Sequence, residues 1–165
     1  AGRLSILWSS NMAKRNGAMT ILVAEDDPDD RLLIEDAFEE SGCPNDIEFV
    51  EDGEELLHYL HREDGWTDLK GKPLPALILL DLNMPRLDGR AALKHIKDDQ
   101  ELRVIPIVVL TTSKSEEDIE ATYKAGVNSF FSKPRDFDEL VELAKILNQY
   151  WTTKVHLPSA CKTKE

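Results

Sequence analysis

Short apolar runs alternate with amphipathic stretches along residues 20–150 of this chain, and that alternation narrows the fold more than any other feature. Residues 20–24 (TILVA) read as a buried strand. Asp27-Pro28 then marks a helix start, with Asp27 as N-cap and Pro28 at the first helical position. Leu33, Ile34, Ala37, Phe38 and Ser41 share one face of that helix, and Gly42 can end it. A second strand is expected over 47–50 and a second helix over 53–62, with Leu56, Leu57 and Leu60 inward. Gly65, Gly71, Pro73 and Pro75 make residues 63–75 a long polar loop. Residues 76–80 (ALILL) are apolar at every position, as a central parallel strand requires. Turn signals at Met84-Pro85 and Asp88-Gly89 precede a helix over about 89–99. Strands at 105–110 and 127–131 follow, separated by a helix from a Ser115/Asp118 capping box to Ala125-Gly126. Asp136 and Glu139 open the last helix, which carries Leu140, Leu143, Ala144 and Leu147.

Five strands, each followed by a helix on a short connection, imply right-handed crossovers and an α/β parallel sheet covered on both faces. Ligands bind such sheets beyond the carboxyl ends of the strands, at the topological switch point. The residues expected there are Glu25-Asp26-Asp27 after the first strand, Asp81 after the third, Thr111-Thr112-Ser113 after the fourth and Lys133-Pro134 after the fifth. Carboxylates gathered so closely repel, which raises at least one pKa unless a cation lies among them. Magnesium, a hard ion that takes oxygen ligands and keeps several waters, suits such a set.

Composition excludes several function classes. Of 165 residues, 32 are acidic and 20 basic, for a net charge of −12, and residues 25–64 hold 17 acids against Arg31 and Arg62. That balance argues against a nucleic-acid binder that neutralises phosphates and against docking on anionic lipid. It suits a divalent cation, a basic partner or solubility alone. No apolar run approaches the length of a membrane span. Cys43 and Cys161 make neither a disulfide framework nor a metal cluster and read as free thiols. Residues 1–18, with three bases and no acid, read as a leader or appended segment, with Met12 or Met19 as a natural start. Residues 19–151 form the domain and 152–165 a tail, and the cytoplasm is the default location.

Taken singly, each strand-end residue has an ordinary structural reading. Asp27 before Pro28 is a cap, Lys133 alone a surface lysine, and Thr111 a good strand residue. Their joint order resembles the receiver domain of two-component response regulators. The matching segments are Ile21-Leu-Val-Ala-Glu-Asp26, Leu79-Leu-Asp-Leu-Asn-Met-Pro85, Asp88-Gly89, Val109-Leu-Thr111, Ala125-Gly126 and Ser132-Lys-Pro134, spread over about residues 20–151. The intervals of 30 residues from Asp81 to Thr111 and 22 from Thr111 to Lys133 are also similar. The loop 63–75, Leu110-Thr-Thr-Ser113 and the lack of an output domain narrow the resemblance to small regulators encoded beside phytochrome-type, light-sensing histidine kinases.

The resemblance implies a doubly wound, flavodoxin-like sheet of order 2-1-3-4-5. It implies that Asp81 accepts a phosphoryl group from a kinase phosphohistidine. Magnesium would be held by Asp26, Asp81 and the main-chain carbonyl of Asn83, with Glu25 acting through water. Lys133 would neutralise charge, and Thr111 would bond a phosphoryl oxygen and draw Phe130 inward as a switch. A cis Lys133–Pro134 peptide is implied as well. Glu25 in place of the commoner Asp, Phe130 in place of Tyr, and the dephosphorylation-tuning positions Asn83 and Ser113 are this chain's own variations. Phe137, Val141, Ile146 and Tyr150 leave the last helix apolar beyond one face, and with the resemblance they point to a homodimer through helix four, strand five and helix five. Two alternatives stay open on the phosphoryl chemistry: a magnesium-dependent aspartyl-phosphate hydrolase, and a phosphorelay intermediate. Against a flavin-binding module on this topology, the turn after the first strand is acidic and has no Gly, Ser or Thr cluster to cradle a phosphate.

Overall fold

A computed structural model describes residues 19–162; the leader expected over 1–18 lies outside the described residues. The chain runs β1 (Thr20–Ala24), α1 (Pro28–Glu40), β2 (Asp46–Val50), α2 (Gly53–His61), β3 (Leu77–Leu80), α3 (Gly89–Asp98), β4 (Ile107–Thr111), α4 (Glu116–Ala125), β5 (Ser129–Ser132) and α5 (Phe137–Gln149). All four strand pairings are parallel and the sheet order is β2-β1-β3-β4-β5. The chain reverses direction across the sheet between β1 and β3, so the crevice lies above the carboxyl ends of those two strands.

Alternation along the strands assigns side chains to two cores. Leu22, Ala24, Ile78, Leu80, Ile107 and Val109 face α2 and α3. Ile21, Val23, Leu77, Leu79, Val108 and Leu110 face α1 and α5. Every residue of β3 is buried, which is why its run shows no polar alternation. Truncating one of the leucines or isoleucines among them to Ala costs roughly 2–5 kcal/mol.

The structure moves some residues from their expected places. Leu33 is 46% exposed, so the buried stripe of α1 is Ile34, Ala37 and Phe38. Val141 is buried beneath α5 and Leu140 is half-buried, a rotation of the expected stripe toward Val141. β4 starts at Ile107 because Pro106 has no N–H to donate. The Asn128 side chain accepts from Ile107 N at 2.9 Å and its main-chain N donates to Ile107 O at 2.8 Å, which delays β5 to Ser129.

The loop after α2 is pinned by Arg62. That residue caps α2 in the left-handed region at φ 60°, and its side chain is buried. Its guanidinium donates to Tyr59 O at 3.0 Å and Pro73 O at 2.9 Å and stacks over the Tyr59 ring. Trp66 meets the same ring edge-on. Beyond α5 the chain makes one π-helical turn over Tyr150–Lys154. Leu157 and Cys161 then bury themselves against the α2/α3 core, and Leu74 N donates to Ala160 O at 2.8 Å. The described part of the tail is therefore a strap on the base of the sheet. Among the described residues no helix is long and apolar enough to cross a membrane.

Candidate phosphoryl-transfer site

β1 delivers Glu25 and Asp26 to the crevice, and the turn that follows is fixed from both sides. Asp27 accepts from Asp29 N at 2.8 Å and Asp30 N at 3.3 Å, the cap its position before Pro28 predicts. Arg31 donates to the carbonyls of Glu25 and Asp26, both at 2.9 Å. Two glycines pin the β3–α3 turn. A Cβ on Gly89 would lie 2.2 Å from Asp81 O, and one on Gly53 would lie 2.1 Å from Leu87 O. Gly53 N donates to Leu87 O at 3.0 Å, and Arg86, at φ 64°, reaches the buried Asp52 at 3.0 Å. The turn that carries Asp81 is thus tied to the start of α2.

The expected residues converge. Asp81 is buried, and its Oδ1 accepts from Thr111 Oγ1 at 2.8 Å and from Asn83 N at 3.2 Å. Its Oδ2 accepts from Lys133 Nζ at 3.1 Å. Lys133 Nζ also meets both oxygens of Glu25, at 2.8 and 2.9 Å. Asn83 is exposed and contributes its main chain. Phe130, paired with Val109 across the sheet, is half-buried against the α2/α3 core. The cis peptide implied at Lys133–Pro134 is absent; the described residues contain none. Lys133 is aimed by its own N–H, which donates to Thr111 O at 2.8 Å, and by the carboxylates around its ammonium.

Sequence reasoning missed Asp30. Its Oδ2 lies 2.8 Å from Lys133 Nζ, from the first turn of α1. The signal was the acidic run continuing past Pro28, because the first helical turn stands over the strand ends.

The electrostatics divide the carboxylates. Burial, followed by the neighbouring Asp81, pushes Glu25 up to about 9. For Asp81 burial also pushes upward, but the hydrogen bond with Glu25, the Lys133 charge and the Asn83 and Thr111 donors outweigh it, and the net shift is downward. Burial opposes the Lys133 charge, yet Asp30, Glu25 and Asp81 raise its pKa overall. Burial thus favours the neutral form of Glu25, whereas the hydrogen bonds and the Lys133 charge favour the carboxylate form of Asp81. Oxygen atoms of Glu25, Asp26 and Asp81 all lie within 4.8 Å of one another. Hard donors at that spacing, with mutual repulsion to relieve, fit a divalent cation.

The sequence profile of the response regulator receiver domain matches residues 21–145. The chain is 38% identical over 145 residues to the probable methanogenesis regulatory protein FilR2 of Methanothrix harundinacea, covering 88% of this chain and 91% of that one. It is 34% identical over 145 residues to response regulator Rcp1 of Synechocystis, covering 88% and 97%. The crystal structure of the phosphorylated cyanobacterial phytochrome response regulator RcpA superposes with a TM-score of 0.78 at 37% identity, covering 86% of this chain and 99% of that one. The Mn2+-bound form of Rcp1 superposes with a TM-score of 0.76. The parallel order of the sheet agrees with the similarity over most of the chain, and the protein belongs to the response regulator receiver domain family.

Proposed function

We propose that Asp81 is the phosphoacceptor of this receiver domain. The observation that carries the reading is the buried Asp81 carboxylate held between Lys133, Thr111 and Asn83 N in an acidic cluster. An Asp81 oxygen forms a bond to the phosphorus of a kinase phosphohistidine as the phosphorus–nitrogen bond breaks, and the imidazole leaves with the electron pair. The chemistry needs alignment and neutralisation of spread negative charge more than covalent help. Lys133 supplies a fixed positive charge, and Thr111 turns its hydroxyl to a phosphoryl oxygen. Magnesium is the cation we assign, with Asp26, Asp81 and the Asn83 carbonyl as ligands and Glu25 acting through water. When bound it neutralises the charge of the incoming phosphoryl group. The protein turns over no external substrate in this reading.

Similarity to Rcp1 and to the phytochrome response regulator RcpA supports a phytochrome-type histidine kinase as donor, and the cytoplasm is the location we assign to the reaction. Output passes through Thr111 and Phe130 to the face of α4, β5 and α5, where a second copy docks. Tyr123 is 50% exposed, Phe137 40%, Ile146 57% and Tyr150 52%, so α4, α5 and the turn after α5 each carry exposed apolar side chains for such a contact to cover. A small acyl phosphate with magnesium should label the protein once per chain and fail to label Asp81→Asn. Turnover of many equivalents would instead indicate a hydrolase. Transfer from a phytochrome-type kinase that changes with illumination is the expected partner result; no transfer would remove the light-sensing assignment alone.

A further inference from the structure

α4 is poorly anchored by its own sequence. Its one buried residue is Thr122, a polar side chain that bonds back to the carbonyls of Asp118 and Ile119. The other four helices each bury at least three residues. A helix with so little apolar burial should open readily from the body of the protein. Its polar N-terminal contacts then matter more than such contacts usually do.

Those contacts are unusually complete. Ser115 caps α4 by accepting from Asp118 N at 3.2 Å, but the reciprocal half of the expected capping box is missing. Ser115 N instead donates to Ser113 Oγ at 3.3 Å. The Asp118 carboxylate is thereby free for other partners. Its Oδ2 accepts from Ser113 Oγ at 2.7 Å. Arg90, in the first turn of α3, forks onto both oxygens, with Nε to Oδ1 at 2.8 Å and a terminal nitrogen to Oδ2 at 2.7 Å. The remaining terminal nitrogen lies 3.5 Å from Leu82 O, next to Asp81 in the chain. Planar two-point pairing of this kind fixes orientation as well as distance. The β4–α4 connection, which begins at Thr111, is therefore fastened through Ser113 and Asp118 to the α3 residue that also faces the β3–α3 turn.

We propose that the Arg90–Asp118 pair is a clamp that positions the β4–α4 connection so that Thr111 presents its hydroxyl to Asp81. Arg90 and Asp118 are positioning residues, acting on the phosphoryl group through Thr111 and Ser113. The clamp rests on the reading of Asp81 as phosphoacceptor for its effect on rate, but not for its effect on loop opening.

Arg90→Ala, Asp118→Asn and the double variant test it in the full chain. Hydrogen exchange without metal should show the amides of residues 112–118 exchanging roughly tenfold faster in each variant, with β1 and β3 unchanged. The rate of labelling by a saturating small acyl phosphate should fall roughly threefold to tenfold, while magnesium affinity stays within about twofold. The double variant should be no slower than either single one, since both remove one interaction. Arg90→Lys, which keeps the charge and loses the fork, should fall between. Unchanged exchange would overturn the clamp. Faster exchange with unchanged labelling would overturn its positioning role, as would additive losses in the double variant. Failure of the unmutated protein to accept label would count against the Asp81 reading instead, and the exchange result would still decide the clamp.

Discussion

Asp26 and Asp27 are adjacent acids with different work. Asp26 offers an oxygen to the carboxylate cluster, whereas Asp27 spends its side chain on the first amides of α1. Asp26→Ala should weaken magnesium binding far more than Asp27→Ala, as followed by intrinsic fluorescence. Asp27→Ala should instead cost about 1 kcal/mol of stability as a lost cap. The reverse order would mean that the acid pair is displaced by one residue. Asp118 gives a pH prediction at the same scale. The Arg90 hydrogen bonds, helped by Ser113, lower its pKa from 3.8 to about 2. A depressed folded value means stability that is full above the unfolded value and lost as pH falls through the folded one. Asp118→Asn should therefore destabilise at neutral pH by about 1 kcal/mol, held small by the solvent around Arg90. The gap to the unmutated protein should close between pH 3.8 and about 2 in urea titrations. A gap constant down to that range would mean that the ion pair does not contribute.

At the scale of elements, the long excursion between α2 and β3 depends on one cation. Arg62 is buried with main-chain carbonyls and an aromatic ring as partners, and it holds a left-handed conformation to reach them. Arg62→Ala removes the donors and the packing together. It should lower stability by roughly 2–3 kcal/mol with the labelled fraction at saturation unchanged. A loss of labelling without a loss of stability would show that this loop reaches the site. The elements differ in how plainly the sequence announced them. β1 and β3 were legible because a doubly covered strand has no polar alternation, and the caps at Asp27, Ser115 and Asp136 were legible because capping is a local interaction. Leu33 and Val141 were misplaced because the helices bury stripes only about three residues wide per two turns, so a small rotation about the axis exchanges neighbours. Asp30 depends on how α1 tilts over the sheet, and the Arg90–Asp118 pair joins residues 28 apart through the packing of two helices. Neither follows from local pattern. The buried Leu157 and Cys161 were hidden because the few apolar residues of this polar stretch follow neither a helical nor a strand period.

For the whole molecule, a short chain of contacts runs from Asp81 through Thr111 to β5 and the exposed side chains of α4 and α5, the face we propose for output. If a second copy covers that face, sedimentation at micromolar concentration should show a dimer, strengthened or weakened by phosphodonor, and Tyr123→Glu should shift it to monomer. A monomer under every condition would leave the apolar set to another partner. The strand ends were where the sequence spoke most clearly, since Asp81 and Thr111 each close an apolar run, Lys133 follows the last strand, and parallel strands bring such ends together without further information. The direct test of that convergence is to treat the protein with a small acyl phosphate and magnesium, digest it, and locate the label by mass spectrometry. One phosphoryl group per chain, on the peptide containing Asp81 and abolished by Asp81→Asn or by chelation of the metal, is the predicted result. Full labelling at another residue, or undiminished labelling of Asp81→Asn, would contradict it.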